Sequence, residues 1–127
     1  DTAIARLRMN GHLPLGEALM NQQLVAGVGN VYKSEILFMN RLNPFEPLSN
    51  FDEETLRLCL RSARHYMRRN LEGLRRKFRG STLGDRLWVY RRQGMPCLEC
   101  YGPIAMQRQG ETARSTYYCP ACQGTGR

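Results

Sequence analysis

Four cysteines in the last third of this 127-residue chain are spaced Cys97-x2-Cys100-x18-Cys119-x2-Cys122, and no other feature constrains the fold as tightly. Each C-x-x-C pair sets two thiols on one knuckle, and two knuckles complete a tetrahedral four-cysteine zinc site. Between the pairs, Ile104, Met106 and Arg108 alternate with Ala105 and Gln107, and Thr116 and Tyr118 alternate with Tyr117. That alternation predicts a β-hairpin with its turn near Gln109-Gly110-Glu111, giving a zinc-ribbon-like segment. Two other uses of the cysteines compete. A pair of disulfides needs an oxidising compartment, yet no export signal is visible and Cys59 is left odd. A redox C-x-x-C is expected beside a βαβ pattern, which is absent. Four thiolates leave no coordination position for an activated water, so one Zn2+ ion here is structural rather than catalytic.

The charge balance narrows the class of partner. Lys and Arg number 19 against 11 Asp and Glu, a formal net charge of +8. A hydrophobic fraction of 42% is too high for a disordered basic tail and sufficient for a modest core. No apolar run approaches the roughly 20 residues that a membrane span needs, and the start lacks the apolar core of a signal peptide. These features disfavour membrane and secreted proteins and favour a cytosolic, polyanion-binding one. Of the cations only Lys33 and Lys77 are lysines. The planar guanidinium fork of Arg suits bidentate phosphate and base contacts, although high-GC coding gives the same bias with no function attached. The chain opens at Asp1 without an initiator Met and is read as a fragment or a processed product.

Residues 1–80 read as a helical domain and 81–127 as the hairpin domain, with the boundary near Gly80. Leu15, Ala18, Leu19 and Gln22 keep helical spacing after Pro14, and Gly27-Val28-Gly29 breaks the pattern. A second helix follows through Val31, Tyr32, Glu35, Ile36 and Met39 and ends before Asn43-Pro44. Two helices around a short glycine turn form a helix-turn-helix signature. For the third helix, Asn50 or Asp52 supplies the cap and Asp52, Glu53 and Glu54 the favourable negative charge. Leu56, Cys59, Leu60, Ala63, Met67 and Leu71 define its buried stripe, with Gly73 as the stop. Cys59 lies on that stripe and reads as a core residue.

Two features fit anion binding as well as a plainer role. Arg61, Arg64, Arg68, Arg69, Arg75, Arg76, Lys77 and Arg79 place eight cations within nineteen residues. This run suits either a solvated helix face with a basic linker or a phosphate-tracking face. In Ala26-Gly27-Val28-Gly29-Asn30 the glycines allow close approach of the backbone, and the new helix offers free N–H groups and a favourable dipole. Asn30 adds a neutral donor. The same turn also serves as a simple helix cap.

The segment Leu19-Met20-Asn21-Gln22-Gln23-Leu24-Val25-Ala26-Gly27-Val28-Gly29-Asn30-Val31-Tyr32-Lys33-Ser34-Glu35-Ile36-Leu37-Phe38 resembles the helix-two-turn-helix of the formamidopyrimidine/endonuclease VIII (Fpg/Nei) DNA glycosylases. Leu87-Trp88-Val89-Tyr90 and Arg114-Ser115-Thr116-Tyr117-Tyr118-Cys119-Pro120-Ala121-Cys122-Gln123 resemble that family's zinc finger. The likeness runs from about Pro14 to Gln123 and leans toward the bacterial endonuclease VIII branch, which favours oxidised pyrimidines over 8-oxoguanine. It implies a mainly α-helical bundle with a helix-two-turn-helix motif, followed by a small four-cysteine zinc-finger β-hairpin.

The resemblance also implies roles. Asn30 matches the asparagine that holds backbone phosphate beside the lesion, with Gly29 and Lys33 flanking it among the DNA-binding residues. Arg114 matches the arginine that clamps the phosphates around the flipped-out nucleotide and serves δ-elimination, a task that suits a guanidinium fork. The parent enzyme would excise oxidised bases from duplex DNA and cut abasic sites by β,δ-elimination, acting as a cytoplasmic, nucleoid-associated monomer. Its nucleophile, an N-terminal proline followed by glutamate on a β-sandwich domain, has no counterpart at Asp1-Thr2. This chain alone is therefore expected to bind damaged DNA without glycosylase activity. Three positions depart from the family pattern: Asn21 replaces an acidic residue, Arg91 replaces a glycine, and Tyr101 intervenes between Cys100 and Gly102. A stand-alone zinc-ribbon module for nucleic acid or protein is the rival reading.

Overall fold

Asp52 begins the longest helix: its Oδ1 accepts the Thr55 N–H at 2.8 Å, and Glu53 and Glu54 follow at the positive helix end. Hydrogen bonds from the Thr55 side chain first, and then from its N–H, hold the Asp52 carboxyl below its ordinary value. The computed structural model describes residues 2–21, 30–71 and 87–124. Within them lie α1 (Thr2–Met9), α2 (Leu15–Met20), α3 (Asn30–Met39), a 3-10 turn (Leu48–Asn50), α4 (Glu53–Leu71), β1 (Ala105–Gln109), β2 (Arg114–Tyr118) and α5 (Pro120–Gln123).

The helices pack because each carries an apolar face. Leu56, Cys59, Leu60 and Ala63 of α4 are buried together with Leu15, Ala18 and Leu19 of α2 and Ile36 and Leu37 of α3. Burial pushes the Cys59 thiol up to about 12, as a core role requires. The side chains of Met67, Arg68, Arg69 and Leu71, and all of Gly73, Arg75, Arg76, Lys77, Arg79 and Gly80, lie outside the described residues. Helix α1 was not foreseen, because only Ile4 and Leu7 are fully buried, with Ala3 partly buried beside them, and so short a stretch makes no clear periodicity. Ahead of α2, the Leu15 N–H donates to Glu46 O and the Leu48 N–H to Leu13 O, both at 2.8 Å, so the loop after α3 runs antiparallel to the α2 entry.

A second core gathers Phe38 of α3 with Val89, Cys97, Ile104, Tyr117 and Cys119. Helix α3 thus belongs to both cores. The hairpin is antiparallel with Gln107 opposite Thr116 and Gln109 opposite Arg114, and its turn occupies Gly110–Ala113, slightly past the expected place. Strict alternation fails on β2, where Thr116, Tyr117 and Tyr118 are all buried. Both faces are covered: Tyr118 meets the Phe45 ring edge at 5.1 Å, and Tyr117 meets Tyr90 at 5.0 Å.

Candidate functional site

The sulfurs of Cys97, Cys100, Cys119 and Cys122 all lie within 4.8 Å of one another. Cys97 Sγ is 3.9 Å from Cys122 Sγ, and Cys100 Sγ is 3.5 Å from Cys119 Sγ. These separations are far longer than a disulfide bond. Zinc–sulfur bonds of about 2.3 Å in a tetrahedron put sulfurs roughly 3.8 Å apart, so the four residues fit one zinc ion. The knuckle is built by main-chain donors. The Glu99 N–H reaches Cys97 Sγ and the Gly102 N–H reaches Cys100 Sγ, each at 3.4 Å. The Gly102 bond holds the Cys100 thiol below its ordinary value. Desolvation pushes Cys119 up and Cys122 up to about 12, so a bound cation is what favours all four thiolates together. Tyr101, directly after Cys100, has φ 68°, a left-handed conformation that glycine takes most easily.

Two buried polar side chains join this unit to the helices. Gln123 accepts the Cys119 N–H at 2.8 Å and donates to Leu42 O at 2.9 Å. Glu35 of α3 accepts the N–H groups of Trp88 (2.7 Å), Val89 (2.8 Å) and Tyr90 (3.0 Å). Burial raises its carboxyl above the ordinary value, against the pull of those three bonds and of the Arg92 charge. Residues 87–90 accordingly wrap a carboxylate and form no strand. Arg91, where the family pattern has glycine, sits at φ 60°.

The head of α3 meets the head of β2. In an antiparallel ladder alternate residues turn their main-chain groups away from the partner strand, and α3 satisfies those of β2. Ser34 Oγ accepts the Tyr117 N–H at 3.2 Å, and Lys33 Nζ donates to Ser115 O at 3.4 Å. Asn30 Nδ2 donates to Ser115 Oγ at 3.4 Å, while its buried Oδ1 has no partner among the described residues. Arg114, next to Ser115, is exposed. Beside it lies a cavity of about 280 Å3 lined by Glu17, Lys33, Gln109, Glu111 and Arg114 among others. Lys33 is only 1% exposed. Burial first, then the Arg114 charge, lowers its ammonium to about 8, with Glu17 acting in the opposite direction.

Of the site residues expected from sequence, the fold brings the four cysteines into one cluster and Asn30, Lys33 and Arg114 around Ser115. Gly29 and the rest of the glycine turn lie outside the described residues. Glu35, Ser34, Gln109 and Gln123 were not anticipated as site-building groups. Glu35 had left a signal, as a charged residue within the apolar register of α3.

The two packed cores and the thiol cluster define a helical unit joined to a metal-binding β-hairpin. Residues 1–79 match the family model of the formamidopyrimidine-DNA glycosylase H2TH domain, and the chain belongs to that family. A formamidopyrimidine-DNA glycosylase of Thermus thermophilus is 37% identical over 89% of this chain and 45% of its own length. The DNA-(apurinic or apyrimidinic site) lyase Nei2 of Mycolicibacterium smegmatis is 41% identical over 87% and 42%. Among solved structures, the MutM (Fpg) protein of Thermus thermophilus has a TM-score of 0.78 at 34% identity, covering 99% of this chain and 50% of that one. A complex between the Lactococcus lactis Fpg and abasic-site DNA has a TM-score of 0.78 at 25% identity, over 97% and 47%. The chain spans about half the length of the relatives it matches. A stand-alone ribbon accounts for residues 97–122 only, whereas the family match lies over the helices. No helix among the described residues is long and apolar enough to cross a membrane.

Proposed function

We propose that these residues form the DNA-gripping half of a base-excision-repair DNA glycosylase and abasic-site lyase. The observation that carries the reading is the meeting of α3 and β2 at Ser115. Asn30 touches its side chain, and Arg114 is its neighbour. An asparagine at a helix N-terminus and an exposed guanidinium then face the same backbone, as two phosphate contacts require. Asn30 and Gly29 hold backbone phosphate beside the damaged nucleotide, and Arg114 clamps the phosphates flanking it and assists δ-elimination.

Cys97, Cys100, Cys119 and Cys122 hold one structural Zn2+. Its chemistry is to cross-link the knuckles and fix the strand that presents Arg114, and no step of the reaction passes through it. The nucleophile comes from a part of the parent protein beyond these 127 residues, in keeping with the half-length coverage. The parent acts in the bacterial cytoplasm, at the nucleoid, as a monomer on duplexes with oxidised bases or abasic sites. These residues alone bind such DNA through phosphates, with affinity that falls steeply with salt and without base excision.

Borohydride treatment of the full-length parent with lesion duplex tests the enzyme class: a covalent adduct is expected, and its absence would overturn the reading. In the 127-residue chain, Arg114→Ala should keep its zinc and weaken binding to abasic-site duplex by about ten- to a hundredfold, since charge-assisted bonds are worth roughly 1.5–3 kcal/mol.

A further inference from the structure

Among the described residues Lys33 is the fully buried cation, and an apolar side chain of the same length would fill its place without carrying charge into the interior. Its surroundings give the charge a use. Lys33 Nζ holds the main chain of Ser115 while Asn30 holds its side chain, so α3 grips the residue from which Arg114 projects. Lys33 and Arg114 also line the same cavity, and two positive charges beside a partly enclosed space reinforce each other toward an anion.

We propose that Lys33 is a positioning residue of the phosphate site. Its buried ammonium fixes β2 beneath Arg114, and capture of a phosphodiester at Arg114 is coupled to the proton on Lys33. This rests on the reading of Arg114 given above and adds to it a proton linkage. The charges acting on Lys33 are Arg114 from β2 and Glu17 from α2, and Glu111 of the hairpin turn is the other charged residue lining the cavity. No charged side chain of α4 or α5 lines the cavity among the described residues. With its ammonium at about 8 in the free chain, Lys33 loses its proton in mildly alkaline solution. A phosphate at Arg114 favours the protonated form, so binding above that pH takes up a proton and weakens as the pH rises.

The test uses the zinc-loaded chain and a short duplex carrying a tetrahydrofuran abasic-site analogue, at constant salt. Wild-type affinity should fall about three- to tenfold between about pH 7 and 9.5, as a coupling of up to one pH unit implies. Calorimetry near pH 8.5 in two buffers of different ionisation heat should show proton uptake, a readout that needs no variant. Lys33→Met, checked for zinc content and a cooperative thermal transition, should bind several-fold more weakly at neutral pH and lose the alkaline decline. A wild-type profile parallel to that of Lys33→Met, or binding without proton uptake, overturns the linkage. If Arg114→Ala weakens binding while Lys33→Met matches wild type, the role of Lys33 fails and the clamp stands. If Arg114→Ala binds as wild type, the clamp fails and the role of Lys33 falls with it.

Discussion

Glu35 Oε2 accepts the Val89 N–H at 2.8 Å across 54 positions of sequence, and the same carboxylate takes the amides on either side, of Trp88 and Tyr90. One side chain on α3 therefore substitutes for the strand pairing that residues 88–90 lack. Glu35→Ala leaves three amides without an acceptor, in surroundings where the Val89 side is fully buried. An unsatisfied buried group costs about 1–3 kcal/mol, and water entering the space recovers part of it. A loss of about 2–4 kcal/mol in unfolding free energy is expected, measured by denaturant titration. Zinc content should stay near one equivalent, because the knuckle donors to Cys97 and Cys100 come from Glu99 and Gly102.

Metal removal should act on the second core rather than the first. Cys97 and Cys119 are packed with Phe38, Val89, Ile104 and Tyr117, and without a cation four thiols must share that space. Chelation should release about one zinc per chain and remove the part of the near-ultraviolet signal that Tyr90 and Tyr117 contribute, while the contribution of Tyr32 and Tyr66 on the first core and most of the helical far-ultraviolet signal persist. Cys122→Ser should weaken zinc binding by more than the roughly 10–100-fold typical of losing a residue that only supports a ligand. Gln123→Ala removes such a support, and its loss should fall inside that range. Competition with a chromophoric chelator measures both.

The sequence disclosed the elements whose chemistry repeats locally. The cysteine spacing announced the cluster, and the three-and-four spacing of Leu56, Cys59, Leu60 and Ala63 announced the buried face of α4. Helix α1 escaped because Ile4 and Leu7 are its two fully buried residues, with only the small Ala3 beside them, too little to set a period. The helix-to-strand joint escaped for a different reason. Lys33, Ser34 and Glu35 bond to residues more than fifty positions away, and no local pattern encodes a partner at that distance. Arg91 and Tyr101 were visible only as departures from a family pattern. Their φ values of 60° and 68° explain why glycine suits both places.

Lys33 should make the chain less stable at neutral pH than a neutral residue would. Its ammonium stands at about 8 in the fold against an ordinary 10.5. Below about 8 both folded and unfolded chains carry the proton, so the full cost of the buried charge is present. Between about 8 and 10.5 the unfolded chain binds more protons, and stability rises with pH. At 1.36 kcal/mol per pH unit the displacement is worth about 3 kcal/mol, and the lost Ser115 bond takes back about 1. Lys33→Met is therefore expected to gain about 2 kcal/mol near pH 7, a gain that shrinks by pH 9.5. Calorimetric melting at the two pH values checks the sign. A variant that is more stable yet binds DNA less well separates this residue from an ordinary core position.

Gly16 is set by the hairpin tip and not by its own helix. A Cβ there would overlap Gln109 Oε1 and lie 2.9 Å from Gln109 Cδ. Gln109 cannot swing aside cheaply. Its Nε2 donates to Pro44 O at 2.8 Å, and its Oε1 accepts from Thr116 Oγ1 at 2.7 Å. Forcing a methyl into a packed contact of this kind costs about 1–3 kcal/mol, more than the helix gains from exchanging glycine for alanine. Gly16→Ala should destabilise the chain by the difference, up to about 2 kcal/mol. In the Gln109→Ala background the clash is gone, and the same substitution should become neutral or mildly stabilising. A coupling energy of at least about 1 kcal/mol in the double-mutant cycle follows from direct contact. Additive losses would instead mean that Gly16 is needed for its close main-chain bond to Pro44 O.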